Sequence, residues 1–398
     1  MRKILSAILN VARREWTRLK AAPGSFLLIF GIPAVAFPIV AAIYMNGVVR
    51  DMPVAVFDGD KSELSRMLVR SLDASSAFQV AEEASSVAEI RSLFRQGRIK
   101  AAFAIPNGME RDIKRGESSD VVVYNDATNL IQANLTLKES STVIRTVAAG
   151  IGIKQLRSRG MTEDQARRAV MPIRVQAQSL YNPTYNYADY LVTGLVPALF
   201  QLTVMITAVL LICGEEADGS LGELIHEAQG SAAAIVIGKV IPLFFCHFAT
   251  SIVIVGLLYP IFGISVSGST IGVLSLFLML IAASLALGVF ISSIVRDRML
   301  ATEVALFINL PAFVISGYIF PFRAMPWPYV AFANLLPYTH FLKGFVTVGR
   351  MGLPLSDTAS AAAALFLLII TAGTGSIILL RLRIASPAGA GTSSLEEL

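Results

Sequence analysis

The sequence predicts a multi-span α-helical membrane protein with six transmembrane helices and an inserted extracytoplasmic α/β domain. Only 15% of the 398 residues are charged, whereas ordinary soluble domains carry about 25%. The mean hydropathy is correspondingly high, at +0.65. The charges are also unevenly placed, because they crowd into residues 1–20 and 50–185 and nearly vanish between 190 and 380. A water-exposed part and a membrane part are therefore separate in the sequence.

The six helices follow from five apolar runs that reach the length of about 20 residues needed to cross a hydrocarbon core. These runs are 21–49, 190–214, 240–295, 304–322 and 358–380. The turn-rich segment 259–268 divides the third run into two helices. A cleaved signal peptide is the alternative for the first run, but its basic leader and its apolar core are both too long, which favours a retained anchor.

The positions of Lys and Arg predict the orientation of these helices, since short cytoplasmic segments keep an excess of both. The leader before the first helix holds Arg2, Lys3, Arg13, Arg14, Arg18 and Lys20. Basic residues return after every second crossing, at Lys239, Arg296, Arg298, Arg381 and Arg383. The last external loop departs from the rule with Arg323, Lys343 and Arg350. Both termini are predicted to be cytoplasmic.

Residues between the first two helices change their periodicity and predict the α/β domain. Apolar segments bounded by turn residues indicate strands at 54–57, 78–81, 101–105 and 121–124. Helical spacing of apolar residues appears at 61–74, 86–96 and 107–115, and then at 129–159 and 163–171, which are expected to form a stalk returning to the membrane. The sequence Asp58-Gly59-Asp60 could bind a metal, but a turn in which Asp60 caps the following helix is preferred, since no EF-hand spacing continues.

The sequence gives no catalytic residue and no metal site. It lacks a phosphate-binding G-x-x-x-x-G-K-[ST] loop, an H-E-x-x-H motif and a G-x-S-x-G motif, so the chain is not expected to be an enzyme. His226, His247 and His340 are too far apart to share one metal. His247 could relay protons, but an imidazole near a helix end facing neighbouring helices is preferred. No carboxylate is expected near the middle of a span, which argues against an ion-driven transporter.

The loop after the second helix, 214–242, is the most informative segment. Residues 218–220 can start a short helix in which Leu221, Leu224 and Ile225 form one apolar stripe. Such a helix suits docking to a partner on the cytoplasmic face. The alternative is a helix lying on lipid, but the surrounding acids would be repelled by an anionic leaflet. Those acids are Glu215, Glu216, Asp218, Glu223 and Glu227.

At these residues the chain resembles the permeases of type-2 ATP-binding-cassette (ABC-2 type) transporters. Their loop reads roughly E-x-E-x-G-T-L-E-x-L, followed by Gly-Lys before the third span. The matching residues are Glu215, Gly219, Leu221, Leu224, Gly238 and Lys239, with Ser220 in place of Thr. Ala217 and Gly222 occupy two positions that are acidic in the family, and Glu216 and Glu223 are displaced by one. The large insertion after the first span resembles one branch of this family.

A second match is 316–345, which resembles the family's segment between spans five and six. Prolines at 321, 326, 328 and 337 break a straight span, and we expect a re-entrant hairpin over 323–346. A translocation path lined by Pro321, Met325, Trp327 and Tyr338 is the resulting hypothesis. A plain interfacial loop is the alternative.

The resemblance implies a dimer of permeases, identical or paralogous, above two ATPase subunits that hold ATP and Mg, while this chain itself binds no cofactor. The residues expected to couple it to the ATPase are Glu215, Glu216, Gly219, Ser220, Leu221, Glu223, Leu224 and Ile225. The expected organisation is an amphipathic interfacial helix at 1–24, a first span at 25–45, the α/β domain at 46–187, the remaining spans at 188–385 with a coupling helix at 218–229, and a disordered cytoplasmic tail at 386–398.

The expected function is export of an amphiphile such as a drug, lipid or glycolipid across the bacterial inner membrane. Membrane lipids and a periplasmic adaptor are further expected partners. Nucleic acid is not, because the basic residues behind the net charge of +5 flank spans instead of forming one patch. The alternative function is a membrane-anchored receptor or scaffold whose α/β domain binds a ligand or protein without transport.

Overall fold

A computed structural model describes residues 2–171, 180–183 and 185–385. The chain forms two compact units. The membrane unit comprises residues 1–47 and 180–398, and the inserted unit is Val48–Ser179. The predicted disordered tail, 386–398, lies outside the described residues.

The membrane unit contains the long apolar helices. Within the described residues, six helices are long and apolar enough to cross a membrane, as predicted. They are Pro23–Ile43, Ala188–Ala217, Ala232–Ile261, Thr270–Ile294, Arg298–Ile315 and Leu355–Ala385. We refer to them as spans one to six.

The following helices make up these spans and the segments between them. Helix α1 (Arg2–Ala21) precedes span one, which consists of α2 (Pro23–Phe26), a π-helical turn at Leu27–Gly31 and α3 (Ile32–Ile43). The later helices of the membrane unit are α9 (Thr193–Ala217), α10 (Leu221–Glu227), α11 (Ala232–Val253), α12 (Tyr259–Ile261), α13 (Thr270–Ile294), α14 (Arg298–Asn309), α15 (Ala312–Ile315), α16 (Trp327–Asn334), α17 (Pro337–Phe345) and α18 (Ala359–Ala385). Further π turns lie at Ala188–Val192, Ile254–Leu258 and Val346–Arg350, and 3₁₀ turns at Phe322–Ala324 and Leu355–Thr358.

Span five begins and ends earlier than the apolar run 304–322 suggested. Asp297 caps its first turn, with its side chain accepting a hydrogen bond from the Leu300 N–H at 2.7 Å. The first turn of span five, which begins at Arg298, is therefore helical although hydropathy did not include it in the apolar run. The span ends before Gly317, whose φ of +83° is left-handed and terminates the helix. The difference arises because a cap and a left-handed glycine set the helix bounds, whereas hydropathy marks only the apolar part.

Helix α13 packs at the centre of the membrane unit, against α9, α11, α17 and α18. Its Phe277 lies edge-on to Phe200 of α9, with ring centroids 5.6 Å apart, and to Phe341 of α17 at 4.8 Å. All three rings are buried. These contacts fix the hairpin helix α17 to the long spans, since edge-on aromatic pairs add to the burial of their area.

The inserted unit is built on a four-stranded sheet of order β2-β1-β3-β4. Strand β1 is parallel to β2 and β3, and β4 is antiparallel to β3. The strands are β1 (Met52–Asp58), β2 (Phe78–Glu83), β3 (Ala101–Ile105) and β4 (Val122–Asn125). The helices are α4 (Glu63–Asp73), α5 (Val87–Arg95), α6 (Met109–Arg115), α7 (Leu130–Ser158) and α8 (Glu163–Val170). The small sheet and its connecting helices were predicted at these places.

The predicted role of Asp60 as the cap of the following helix is wrong. Helix α4 is capped by Ser62, whose hydroxyl accepts a hydrogen bond from the Ser65 N–H at 3.0 Å. The Asp60 carboxylate instead accepts from the N–H groups of Gly108 at 2.8 Å and Glu110 at 3.0 Å, at the start of α6. The parallel crossover explains this pairing, because it brings the loops after β1 and β3 to the same sheet edge.

Candidate functional site

The Glu215 carboxylate, near the end of α9, is the centre of a group of charges in the membrane unit. Its side chain is 0% exposed. Its Oε1 lies 2.8 Å from Arg14 Nη1 and 2.6 Å from Lys239 Nζ, and it also forms an ion pair with Arg18. Its Oε2 accepts a hydrogen bond from the Ser220 hydroxyl at 2.5 Å. One buried carboxylate therefore joins α1, α9, α11 and the turn before α10.

Three further carboxylates extend this group. Glu15 Oε2 lies 2.5 Å from Lys239 Nζ. Asp218 is 2.8 Å from both Arg18 and Arg298, and Glu223 is 3.4 Å from Arg14. We call the set the charge cluster, and its members are Arg14, Glu15, Arg18, Glu215, Asp218, Glu223, Lys239 and Arg298. Four cations face four carboxylates, so the cluster is neutral when all are ionised. Its buried centre consists of Glu15, Glu215 and Lys239, where pairing of charges is required.

The charge cluster also keeps Arg14 ionised. Burial lowers the pKa of its guanidinium, but hydrogen bonds and charge interactions with Glu215 and Glu223 outweigh burial and raise the pKa above its ordinary value. Arg14 lies on α1, outside the six spans. Its charge is therefore a permanent part of the cluster.

Two glycines of the loop motif have structural roles beside the cluster. Gly219 has φ +69° and ends α9, with its own N–H donating to the Glu216 carbonyl and the Ser220 N–H to the Glu215 carbonyl. This is the Schellman pattern, which favours glycine at the left-handed position. A Cβ on Gly238 would lie 2.6 Å from Val11 Cβ. Glycine at this position therefore lets α1 lie directly on α11, with Lys239 beside Glu15.

Helix α10 turns its apolar stripe toward the protein. Leu224 is fully buried, and Leu221 and Ile225 are partly buried against the core of the membrane unit. The exposed face of α10 consists instead of Gly222, Glu223, His226 and Glu227. A partner could therefore contact this polar face, but not the Leu224 side chain.

The remaining predicted coupling residues lie around α10 in different roles. Glu215, Ser220 and Glu223 belong to, or contact, the charge cluster, and Gly219 forms the turn. Glu216 forms a separate ion pair with Arg383 at the end of α18, at 3.0 Å. The loop residues are thus connected to span six as well as to spans two, three and five.

The predicted translocation residues differ in their burial. Trp327 is 79% exposed and Pro321 is also exposed, whereas Met325 is half-buried. Tyr338 is 0% exposed, and its hydroxyl donates to the Gly194 carbonyl at 2.8 Å. Tyr338 therefore fixes α17 to span two, and its side chain has no surface exposed to solvent. Pro321, Met325 and Trp327 are all more exposed than Tyr338.

Buried polar pairs also connect the spans away from the charge cluster. His247 is fully buried, and its Nε2 lies 3.0 Å from the Thr207 hydroxyl on span two. It faces a neighbouring helix as expected, but it lies in the middle of span three and not near a helix end. Gln201 donates to the Asn309 side chain at 2.7 Å, joining spans two and five. Among the described residues, no group of three or more His, Cys, Asp and Glu side chains could hold a metal ion.

A second buried ion pair explains one basic residue in the predicted external loop. Arg350 Nη1 lies 2.9 Å from Asp189 Oδ1 and donates to the Ser265 carbonyl at 2.6 Å. Asp189 lies at the start of span two, whereas Glu215 lies near its end. The charge on Arg350 is therefore neutralised within the fold.

The partners of Glu215 were the main feature missed in the sequence. The sequence predicted that α1 is amphipathic, but it was not recognised that an acidic residue, Glu15, lies on the buried face of this helix. The buried residues of α1 are Ala7, Val11, Glu15 and Leu19, at a constant spacing of four. A carboxylate that interrupts an apolar stripe at this spacing is the signal that could have indicated a buried cation opposite it.

Comparison with known proteins identifies the family. The profile described as "ABC-2 family transporter protein" matches residues 24–379. The chain is 29% identical over 187 residues to "ABC transporter G family member 20" of Dictyostelium discoideum, covering 45% of this chain and 25% of that protein. It is 23% identical over 255 residues to "Probable multidrug ABC transporter permease YbhS" of Escherichia coli K12, covering 64% and 65% of the two chains.

A third relative covers more of both sequences. "Probable multidrug ABC transporter permease YbhR" of Escherichia coli K12 is 22% identical over 297 residues, which is 74% of this chain and 76% of that protein. The chain thus spans a quarter of the Dictyostelium protein and about two thirds or more of the bacterial ones. The family profile covers most of the chain, including all of the loop and the hairpin. This multi-pass membrane protein therefore belongs to the ABC-2 family of transporter proteins.

Proposed function

We propose that this permease exports an amphiphile outward, driven by ATP that a separate ATPase subunit hydrolyses. The observation that carries the proposal is the charge cluster, which connects α10 to α1 and to the ends of three spans. Family membership implies an ATPase partner and a second permease copy. The lack of a phosphate-binding loop in the sequence supports placing ATP and Mg on the partner.

The charge cluster gives α10 a means of moving the spans. Ser220, directly before α10, donates to Glu215, and Glu215 is paired with Lys239 of span three. Asp218 is paired with Arg298 at the start of span five. A force on α10 would therefore act on spans two and three together, because separating the buried Glu215–Lys239 pair is costly. The half-exposed Asp218–Arg298 pair links span five more weakly.

The polar face of α10 is the proposed contact with the ATPase. Gly222, His226 and Glu227 are exposed on it, and a Cβ on Gly222 would meet no atom within 4 Å. Leu224 acts from the other side by holding α10 to the membrane unit. Pressure on the polar face would thus reach the spans through Leu224 and the charge cluster.

The substrate class and the setting complete the proposal. Two bacterial relatives are named as probable multidrug permeases, which supports a drug-like or lipid-like amphiphile. The distribution of Lys and Arg supports a bacterial inner-membrane protein with both termini in the cytoplasm. A periplasmic adaptor on the inserted unit and a role of this unit in ligand binding stay predictions.

The test is affinity purification of the tagged full chain from native membranes, followed by an ATPase assay. The variant Gly222→Trp adds bulk to the exposed face of α10, and the matched control Gly150→Trp adds it to a helical glycine of α7 that also meets nothing within 4 Å. We expect the native chain and the control to retain an ATPase and Gly222→Trp to lose it. Absence of any ATPase with the native chain would refute the proposal and favour the membrane-anchored receptor.

A further inference from the structure

Helix α1 packs on α11 with one face and leaves a second apolar face exposed. We call this second face the exposed stripe. It consists of Leu5, Leu9 and Trp16, which are 59%, 49% and 42% exposed, and of the partly buried Ala12 between them. Their spacing of four, three and four residues places all four on one side of the helix. A contiguous apolar surface of this kind marks a contact with a membrane or with another protein.

The exposed stripe lies on the side of α1 that faces away from α10. Arg14 is paired with Glu223 of α10, and Arg18 is paired with Asp218 in the turn before α10. Trp16 is two residues from both arginines, which is about 200° around a helix of 3.6 residues per turn. Because α10 connects the ends of spans two and three, it lies outside the hydrocarbon core. The opposite side of α1 therefore faces the membrane.

The connection between α1 and span one holds the end of α1 at the membrane surface. Ala22 alone separates α1 from span one, which begins at Pro23. One residue extends the chain by less than about 4 Å, so the end of α1 cannot leave the membrane boundary. Phe26 and Leu27, at the start of span one, are exposed apolar residues. Exposed apolar surface thus continues from α1 into the first span.

The charged side chains that border the exposed stripe are basic. Arg13 lies three residues before Trp16 and Lys20 lies four residues after it, so both are its neighbours on the helix surface. The Lys20 Nζ lies 5.3 Å from the centroid of the Trp16 ring. Arg2 precedes Leu5 by three residues in the same way. All three cations are exposed.

The positive charge beside the exposed stripe is not neutralised within the described residues. There, the ion pairs of α1 are formed by Arg14, Glu15 and Arg18 and not by the three cations that border the stripe. Glu15 is the one acidic residue of α1, and it is buried against Lys239. Trp and Leu on one side of a helix, with Lys and Arg beside them, are typical of a helix that lies in an anionic membrane surface.

We propose that the exposed stripe of α1 lies in the adjacent leaflet and that Arg13 and Lys20 bind the phosphates of anionic phospholipids. Trp16 lies at the level of the head groups, and Leu5 and Leu9 lie among the first acyl carbons. One side of α1 then contacts lipid while the other carries the charge cluster. This contact requires neither the ATPase partner nor transport, so it and the proposed function can fail separately.

The test uses Trp16 as the probe, because the chain has two tryptophans and Trp327→Phe leaves Trp16 as the single indole. The full chain is reconstituted in phosphatidylcholine vesicles. Phosphatidylglycerol or phosphatidylcholine with brominated acyl chains, which quench the fluorescence of an indole in contact with them, is added at the same mole fraction. We expect both lipids to quench Trp16, and phosphatidylglycerol to quench it more strongly. Absence of quenching would show that water or a protein, such as a second copy, covers the exposed stripe, and would overturn the proposal.

Arg13→Gln separates recognition of the anionic head group from insertion of the exposed stripe. It removes one cation beside Trp16 and leaves the apolar residues in place. The affinity for phosphatidylglycerol relative to phosphatidylcholine should therefore fall about fivefold, while quenching by phosphatidylcholine stays the same. Lys3→Gln is the matched control, since Lys3 is also exposed on α1 but lies two residues from Leu5 and so on another side of the helix. Equal effects of the two variants, or equal quenching by the two lipids before substitution, would overturn the assignment of Arg13 to lipid phosphate.

Discussion

Substituting Glu215→Gln should destabilise the membrane unit and disconnect α10 from the spans. Glutamine keeps the size of the side chain but removes the one negative charge that Arg14, Arg18 and Lys239 share. The charge cluster would then hold four cations and three carboxylates. The excess positive charge would be buried with Lys239, whose side chain is 2% exposed.

The magnitude follows from the burial of the partners. Breaking a buried ion pair by removing one member typically costs about 3–5 kcal/mol. Arg14 and Arg18 are 18% and 33% exposed, so water can compensate part of the loss. We therefore expect the free energy of unfolding to fall by about 3 kcal/mol, at the lower end of that range.

The assay is equilibrium unfolding of the purified chain in mixed micelles, with the ATPase activity of the complex measured in parallel. Glu223→Gln is the control, because Glu223 is 78% exposed and its pairing with Arg14 should contribute less than about 1 kcal/mol. ATP hydrolysis should persist in the Glu215→Gln complex while transport falls. A loss of stability no larger than that of the control would refute the reasoning.

A double variant tests whether charge balance is the cause. Arg18→Gln in the Glu215→Gln background removes one cation and makes the charge cluster neutral again. The double variant should be more stable than the sum of the single losses predicts, since residues in one ion-pair network couple. Strictly additive losses would show that shape, not charge, determines the cost.

Three further predictions concern the glycines and the inserted unit. Gly238→Val should push α1 away from α11 through a clash with Val11 and cost about 1–3 kcal/mol, visible as faster hydrogen exchange in α1. Gly219→Ala should cost about 1 kcal/mol at its left-handed position and lower the melting temperature. Burial alone would raise the pKa of Asp60, but hydrogen bonds from Ser62 and from the N–H groups at the start of α6 outweigh it and lower the pKa. This contribution to stability is present above the unfolded pKa and is lost as pH falls through the folded one, so Asp60→Asn should speed hydrogen exchange in α6 at neutral pH but not in strong acid.

The spans and the sheet were predictable because each leaves a periodic or compositional trace in the sequence. An uninterrupted run of about twenty apolar residues is the length of a helix that crosses a membrane, so such a run predicts a span. The four strands of the inserted unit are short apolar segments bounded by turn residues, which is the usual pattern of strands. Gly219 and Gly238 were also recognised in the sequence as residues of the loop motif. Only the fold shows that Gly219 ends α9 and that Gly238 leaves room for α1 to pack against α11.

The ion pairs and the hairpin could not be predicted in this way. Glu215 and Arg14 are 201 residues apart, and Arg350 and Asp189 are 161 apart, so no local pattern relates them. In the hairpin, the prolines were interpreted as helix breakers, yet Pro337 opens α17 at a first-turn position where its missing N–H costs nothing. Tyr338 consequently lies inside the packed unit and not in a loop.

The sequence separation within the charge cluster has a consequence for biosynthesis. At about 5–20 residues per second, roughly 10–40 s pass between translation of Arg14 and translation of Glu215. During this interval helix α1 carries its cations without their later partner, and the ribosome completes the inserted unit meanwhile. The ion pairs of Arg14 and Arg18 with Glu215 can therefore form only after span two has been made, and a chain truncated before residue 215 would leave both cations without this carboxylate.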